Sequence, residues 1–290
     1  MHYKNVIRRL VQSGLKPLER RLVQKAYQRT YPPIFIIGPP RSGSTLLYQL
    51  VARRYRVCYF SNFMMHFPAA TLSTARLSSL WMDCSPPDGY TSVYGETPGL
   101  QGPNQGKAFW DLWLQAFPHD IDPDTVSIAT KDLIKNTVLG LQEVFHAPFI
   151  NKWPPNSLRL RLLAEIFPDA VFIKITRNPE KVFASILRAR RAICQGESGW
   201  FSVEPQGRES ILRDDPMKQI QWQADKIEGA IDRDSAIIGG DRFITISYEG
   251  LVEDPKLMLD KIAGFYHRLC GYALEPRNEI PASFSKTAKL

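Results

Sequence analysis

Several features that would point to large protein classes are scarce or missing in this chain. Cysteine occurs only four times in 290 residues, at Cys58, Cys84, Cys194 and Cys270, with no C-x-x-C pair. Such spacing points to free buried thiols and hence to a reducing, cytoplasmic setting. No His/Cys cluster has metal-ligand spacing, so no metal site is expected. No run reaches the ~18 apolar residues of a membrane span, and the N-terminus lacks the apolar core of a signal peptide. Internal repeats and low-complexity tracts are absent.

Net charge is +8, yet most of the chain is close to neutral. Residues 1–30 hold Lys4, Arg8, Arg9, Lys16, Arg20, Arg21, Lys25 and Arg29 against Glu19; that is eight cations minus one anion, +7, which leaves +1 for residues 31–290. A nucleic-acid-binding body would spread its positive charge over the fold, so no nucleic-acid partner is expected. The organisation reads as a basic amphipathic leader, 1–30, followed by a single domain, 31–290. Val6, Ile7, Leu10, Val11, Leu18 and Leu22 supply the leader's apolar face. Two readings stay open for it: a solvated basic helix packed on the body, or peripheral contact with an anionic membrane surface. Gly14 and Pro17 predict a break into two short helices.

With 44% hydrophobic residues the chain can bury a sizeable core. Four short apolar runs read as buried parallel strands: Ile34–Ile37, Pro148–Asn151, Val171–Thr176 and Phe243–Ser247, with Tyr55–Ser61 a candidate fifth. Helical periodicity follows or precedes them. It runs through Leu46, Leu47, Leu50 and Val51; Leu158, Leu162, Leu163 and Ile166; Val182, Phe183, Ile186 and Leu187; and Met258, Ile262, Phe265 and Leu269. Asn178 and Pro179 read as N-cap and first helical residue. Strands alternating with helices predict an α/β fold with a three-layer, doubly wound parallel sheet. Two irregular stretches, residues 82–107 and Gln195–Asp215, read as walls or lids over a site.

The strongest local signal is Ile34-Phe-Ile-Ile-Gly38-Pro-Pro40-Arg41-Ser42-Gly43-Ser44-Thr45. A buried strand enters a Gly/Pro turn and then an amphipathic helix, so free N–H groups and the helix dipole converge on an anion. Gly43 permits close backbone approach, while Ser44 and Thr45 add hydroxyls. Gly38, Gly43 and Thr45 match the spacing of the ATP-binding P-loop, but the position of its lysine holds Ser44 and a cation, Arg41, lies inside the loop. A P-loop kinase is therefore the first rival reading, and a membrane-associated adaptor with a vestigial nucleotide fold the second.

The P-P-R-S-G-S-T stretch resembles the 5′-phosphosulfate loop of sulfotransferases that use 3′-phosphoadenosine-5′-phosphosulfate (PAPS), above all the tyrosylprotein and carbohydrate branches and their bacterial relatives. The resemblance covers roughly residues 33–270 and implies a P-loop NTPase-like sulfotransferase fold. Three more segments carry it. Arg177-Asn178-Pro179 with Ser185 is similar to the pair that holds the donor's 3′-phosphate, and Arg188 stands one turn further on. Asn151-Lys152-Trp153-Pro154 is similar to the N-K-x-P segment, whose lysine contacts the donor and assists catalysis. Tyr248-Glu249-Gly250-Leu251-Val252 resembles the Y-E-x-L-V segment, whose tyrosine packs on the donor.

The resemblance thus implies Pro40, Arg41, Ser42, Gly43, Ser44, Thr45, Arg177, Ser185 and Tyr248 as the donor site and Lys152 and Arg41 as catalytic cations. Charge builds on the bridging oxygen during in-line transfer, and a fixed cation there lowers the barrier without a metal. The tyrosylprotein enzymes place a glutamate about two dozen residues past the loop, but the equivalent stretch here, Phe60-Ser61-Asn62-Phe63, has no acid. Glu96 is the first choice for the base, with His66, Asp111 and His119 open. The expected acceptor is a hydroxyl of a glycan or glycolipid, with a peptide tyrosine or small metabolite as alternatives. The aromatics Trp81, Tyr90, Tyr94, Phe109, Trp110 and Trp113 suit either acceptor stacking or a core.

Overall fold

The computed structural model describes residues 2–28, 31–114, 117–194 and 196–284, with the side chains of residues 2–7 and Arg9 outside that set. The leader side chains Lys4, Val6, Ile7, Arg9 and Arg29, and also Gln195, therefore lie outside the described residues. Four strands form one sheet: β1 (Ile34–Ile37), β2 (Ile150–Lys152), β3 (Val171–Thr176) and β4 (Phe243–Ser247). Their order is β2-β1-β3-β4 and every pairing is parallel. The apolar runs placed β1, β3 and β4 correctly. The second run was set too early, because Pro148 has no N–H to give and pairing with β1 begins only at Ile150 opposite Ile34.

Eleven α-helices surround this sheet among the described residues. They are α1 (His2–Val23), α2 (Ser44–Arg54), α3 (Asn62–Met65), α4 (Thr71–Ser78), α5 (Lys107–Trp113), α6 (Ile128–Phe145), α7 (Leu160–Ile166), α8 (Pro179–Ile193), α9 (Pro216–Ile238), α10 (Tyr248–Glu253) and α11 (Pro255–Cys270). Helices α2 and α11 pack on each other, and α7 and α8 both pack on α9, so two helical groups flank the sheet. Asn178 caps α8 through its side chain, which accepts from the Lys181 N–H, and Pro179 opens that helix. Phe35, Phe172 and Phe243 lie opposite one another on adjacent strands, with ring centroids 6.0 and 4.8 Å apart. This aromatic ladder anchors the lower half of the sheet. The opposite, carboxyl ends of the strands open onto the loops. From β1 the chain crosses to β2 on one side and later returns to β3 on the other. A doubly wound sheet binds its ligand at that reversal.

Two expectations fail. Tyr55–Ser61 is not a fifth strand: Tyr55, Cys58 and Ser61 make isolated bridges to three different segments, at Pro276, Phe149 and Pro103, so no ladder develops. The break at Gly14 and Pro17 is absent, and α1 runs through both. Pro17 removes one helical hydrogen bond, but contacts along the flank with α4 and α6 compensate. Leu22 is buried there, and Glu19 Oε1 accepts from the Leu72 N–H while Oε2 accepts from the Ser73 N–H and hydroxyl. A carboxylate at the start of α4 is favoured by the helix dipole. All four cysteines are unpaired, and no described helix is long and apolar enough to cross a membrane.

Candidate active site

The loop after β1 is shaped by its glycines. Gly38 has φ 143°, and a Cβ there would lie 2.7 Å from the Ile175 carbonyl oxygen. Gly43 has φ 98°, and a Cβ would lie 2.1 Å from the Tyr248 ring, so no other residue lets α2 start this close to α10. Between them Arg41 takes a left-handed φ of 67°, unusual for a side chain of its size. Two bonds hold it there: Arg177 Nη1 donates to the Arg41 carbonyl and Arg41 Nε donates to Ser185 Oγ, both at 3.0 Å. The first N–H groups of α2 have no intrahelical partner.

These elements open onto a single cavity of about 460 Å³, whose wall includes Pro40, Arg41, Gly43, Ser44, Thr45, Lys152, Arg177 and Tyr248. Residues following β1, β2, β3 and β4 thus meet at one rim. Two expected donor contacts do not reach it. Ser42 is buried with its hydroxyl unpartnered and lines a separate, smaller cavity that Arg177 also borders. Ser185 is buried behind Arg41 and serves as its hydrogen-bond acceptor. Arg188 also lies off the wall.

The charge balance of this rim is one-sided. Arg41, Lys152 and Arg177 have no carboxylate partner among the described residues. Lys152 is 3% exposed, and burial, reinforced by Arg41, pushes its pKa down to about 7. Burial lowers Arg41 as well, with Arg177 and Arg188 adding repulsion against a smaller opposing effect of Tyr94. The Arg177 guanidinium lies 4.1 Å from the Tyr248 ring centroid, and its Nε is buried without a partner. One buried and two half-buried cations without an acid partner make a site that an anion would stabilise.

Both irregular segments contribute walls. Val93 and Glu96 exchange backbone hydrogen bonds at 3.0 Å around a tight turn at Tyr94 and Gly95. A Cβ on Gly95 would sit 3.3 Å from Lys152 Nζ, so this turn roofs the lysine. Glu96 is exposed on the wall, and Tyr94 reaches both Arg41 and Phe201. From the second segment come Trp200, Phe201, Ser202 and Glu204, which the sequence reading placed in a wall without singling out; Phe117 and Ile193 complete the apolar side. Among the other base candidates, His119 reaches the cavity, whereas His66 is held by Arg8 and Asp111 by Lys107, both away from it. Of the six aromatics proposed for stacking only Tyr94 lines the cavity, while Phe109 and Trp110 belong to the core. Among the described residues no group of His, Cys, Asp and Glu could hold a metal ion.

A model of the sulfotransferase family matches residues 32–268. Two curated relatives, the omega-hydroxy-beta-dihydromenaquinone-9 sulfotransferases Stf3 of Mycobacterium bovis and Mycobacterium tuberculosis, are each 24% identical over 249 residues, 80% of this chain. The chain spans 61% of the length of either relative. Two solved structures share the fold. Sulfotransferase STF9 from Mycobacterium avium gives a TM-score of 0.55 at 20% identity, over 82% of this chain and 64% of its own. STF1 from Mycobacterium tuberculosis H37Rv gives 0.56 at 16% identity, over 93% and 74%. The expected doubly wound parallel sheet with flanking helices, P-loop NTPase-like, is thus the observed fold. Because the match runs from the residues entering β1 to the last turn of α11, and so takes in every strand that ends at the cavity, the chain belongs to the sulfotransferase family.

Proposed function

We propose that this chain transfers the sulfuryl group of PAPS to a hydroxyl on an amphiphilic acceptor, a glycolipid or related lipid alcohol, and releases adenosine 3′,5′-bisphosphate. One observation carries the reading: Arg41, Lys152 and Arg177 converge with the free N–H groups of α2 on one cavity, and none of the three is paired with a carboxylate among the described residues. In this reading Gly43, Ser44, Thr45 and Arg41 hold the 5′-phosphosulfate end and Arg177 the 3′-phosphate, while Tyr248 packs against the donor. Ser185 acts through Arg41, whose direction it sets. The lysine that a kinase needs is replaced by Ser44, and β2, β3 and β4 lead into Lys152, Arg177 and Tyr248 rather than metal-binding acids. Calorimetry separates the two readings. Adenosine 3′,5′-bisphosphate is expected to bind tightly without magnesium; magnesium-dependent ATP binding in its place would favour the kinase.

Transfer is an in-line displacement in which the acceptor oxygen bonds to sulfur as the bridging oxygen departs with the 5′-phosphate. Lys152 and Arg41 stabilise the charge that gathers on the departing oxygen. Glu96 takes the acceptor proton; the other carboxylate on the wall, Glu204, is paired with Arg208. Glu96→Gln is expected to lower turnover about 100-fold or more while leaving the fold and bisphosphate affinity intact. A fully active variant would assign the base elsewhere.

The apolar part of the wall supports this acceptor class. Phe117 and Ile193, 52% and 51% exposed, line the cavity with the less exposed Trp153, Trp200 and Phe201. Apolar rims of this kind suit an acceptor with an apolar body. Stf3 is named for a hydroxylated menaquinone, which is such a molecule. Mass spectrometry of a lipid extract incubated with PAPS and the protein, seeking added sulfate, tests this. We also read residues 1–30 as a leader on a single domain, 31–290. Leu10, Val11 and Leu18 are exposed beside Lys16, Arg20 and Arg21, as a peripheral contact with an anionic membrane requires.

Lys152 makes donor binding pH-dependent. Its lowered pKa leaves the free protein's lysine largely neutral above about 7. A bound polyanion favours the ammonium form and raises that pKa, so binding takes up about one proton at pH 8 and almost none at pH 5. Calorimetry in buffers of different ionisation enthalpy reads the uptake directly. A buffer-independent heat at pH 8 would show that Lys152 does not face the donor.

A further inference from the structure

His119 is the one histidine on the cavity wall among the described residues, and its ring is fixed from several sides. Its backbone N–H donates to the Glu204 carbonyl at 3.0 Å, and the Glu204 N–H donates back to its Nδ1 at 2.8 Å. Arg159 Nε donates to the His119 carbonyl at 3.1 Å, and the Phe117 ring meets the imidazole edge-on with centroids 4.9 Å apart. The residue is 3% exposed.

A ring nitrogen that accepts a backbone N–H carries no proton, so the hydrogen of the neutral imidazole is on Nε2. Nε2 points away from the strand-like pairing with Glu204, and no described protein group accepts from it. Burial and its charged neighbours keep the ring neutral. Burial, then Arg159, then Lys107 push its pKa down to about 3. The neighbouring acids are already engaged: Glu204 by Arg208, Asp111 by Lys107, and Asp120 by the Gln206 N–H. A base needs a free lone pair, and the only one this ring has is committed at Nδ1. What it offers the cavity is a donor of fixed direction, on the same wall as the apolar Phe117, Trp200 and Phe201.

We propose that His119 determines acceptor specificity, donating Nε2–H to a second oxygen of the acceptor molecule, an ether, carbonyl or hydroxyl oxygen close to the hydroxyl that is sulfated. A buried N–H left without a partner penalises acceptors that lack such an oxygen. The acceptor's part in this proposal rests on the sulfotransferase reading, whereas the tautomer and its direction do not.

The test has two arms. In long-range ¹H–¹⁵N spectra of the full chain, His119 is expected to show the Nε2–H tautomer unchanged between about pH 5 and pH 8; titration in that range, or a proton on Nδ1, overturns the proposal. In the second arm, ³⁵S-labelled PAPS and a total lipid extract report transfer by the wild type, His119→Ala and His119→Gln. The alanine variant is expected to lose about tenfold or more, mostly as a raised KM for the extract. Glutamine, whose amide N–H stands close to the place of Nε2–H, is expected to recover most of the loss. Equal impairment of both variants, with bisphosphate affinity intact, overturns the proposal. If the wild type binds no bisphosphate, the donor reading itself fails, and the spectra still decide the state of His119.

Discussion

Lys152→Ala is expected to lower kcat about 10²–10³-fold, the usual effect of removing one preorganised group from a developing oxyanion, a larger loss than the one in affinity for PAPS. The charge that Lys152 faces becomes large only as the bond to sulfur breaks, so the loss falls on turnover. Arginine is not expected to rescue it. The Tyr94–Gly95 turn closes over Nζ, where even a methyl group on Gly95 would come within 3.3 Å, and a guanidinium needs more room than an ammonium. Stability should move the other way. A buried lysine without an acid partner is costly to the fold, so Lys152→Met is expected to fold with a Tm no lower than the wild type. Single-turnover rates with labelled PAPS and thermal melts measure both. A kcat within tenfold of the wild type would remove Lys152 from the reaction.

Arg177→Ala is expected to weaken adenosine 3′,5′-bisphosphate binding by about two orders of magnitude, as truncation of one side of a desolvated charge pair does. Arg177 has two attachments in the structure and one orphaned donor. It donates to the Arg41 carbonyl, lies over the Tyr248 ring, and keeps a buried Nε without a partner. Truncation therefore removes the grip on a 3′-phosphate and also loosens the loop that holds the other end. Comparing the bisphosphate with adenosine 5′-phosphate isolates the first effect. The wild type should prefer the bisphosphate strongly, and the variant should bind both about equally. A preference that survives in Arg177→Ala would place the 3′-phosphate elsewhere. Arg177→Lys is expected to fall between the two, because a point charge cannot serve the Arg41 carbonyl and a phosphate with one planar fork.

Much of the frame was legible because it depends on local patterns. The bounds of β1, β3 and β4 follow from short apolar runs cut off by polar residues, and the start of α8 from the cap at Asn178 and the proline after it. The early placement of β2 has a local cause in Pro148, whereas the continuity of α1 through Pro17 does not: it depends on Glu19 reaching the start of α4, more than 50 positions away in the chain. Within the site, residues at strand ends were legible and those defined by side-chain direction were not. Ser42 and Ser185 fit the pattern of donor contacts, yet one lines a separate small cavity and the other supports Arg41.

By itself, then, the order of residues determined a strand, a glycine turn and a helix that together attract an anion, and a cation at or just past the end of each of the first three strands. Both depend only on neighbours in the chain and on the rule that parallel strands end on one rim. Tertiary structure decided the rest: the burial of Lys152 under the turn at Tyr94 and Gly95, the retreat of Ser185 behind Arg41, and the wall where His119 meets Glu204. Those features arise where distant segments touch, and the burial, lost hydration and fixed hydrogen-bond direction that give each group its chemistry exist only once they do.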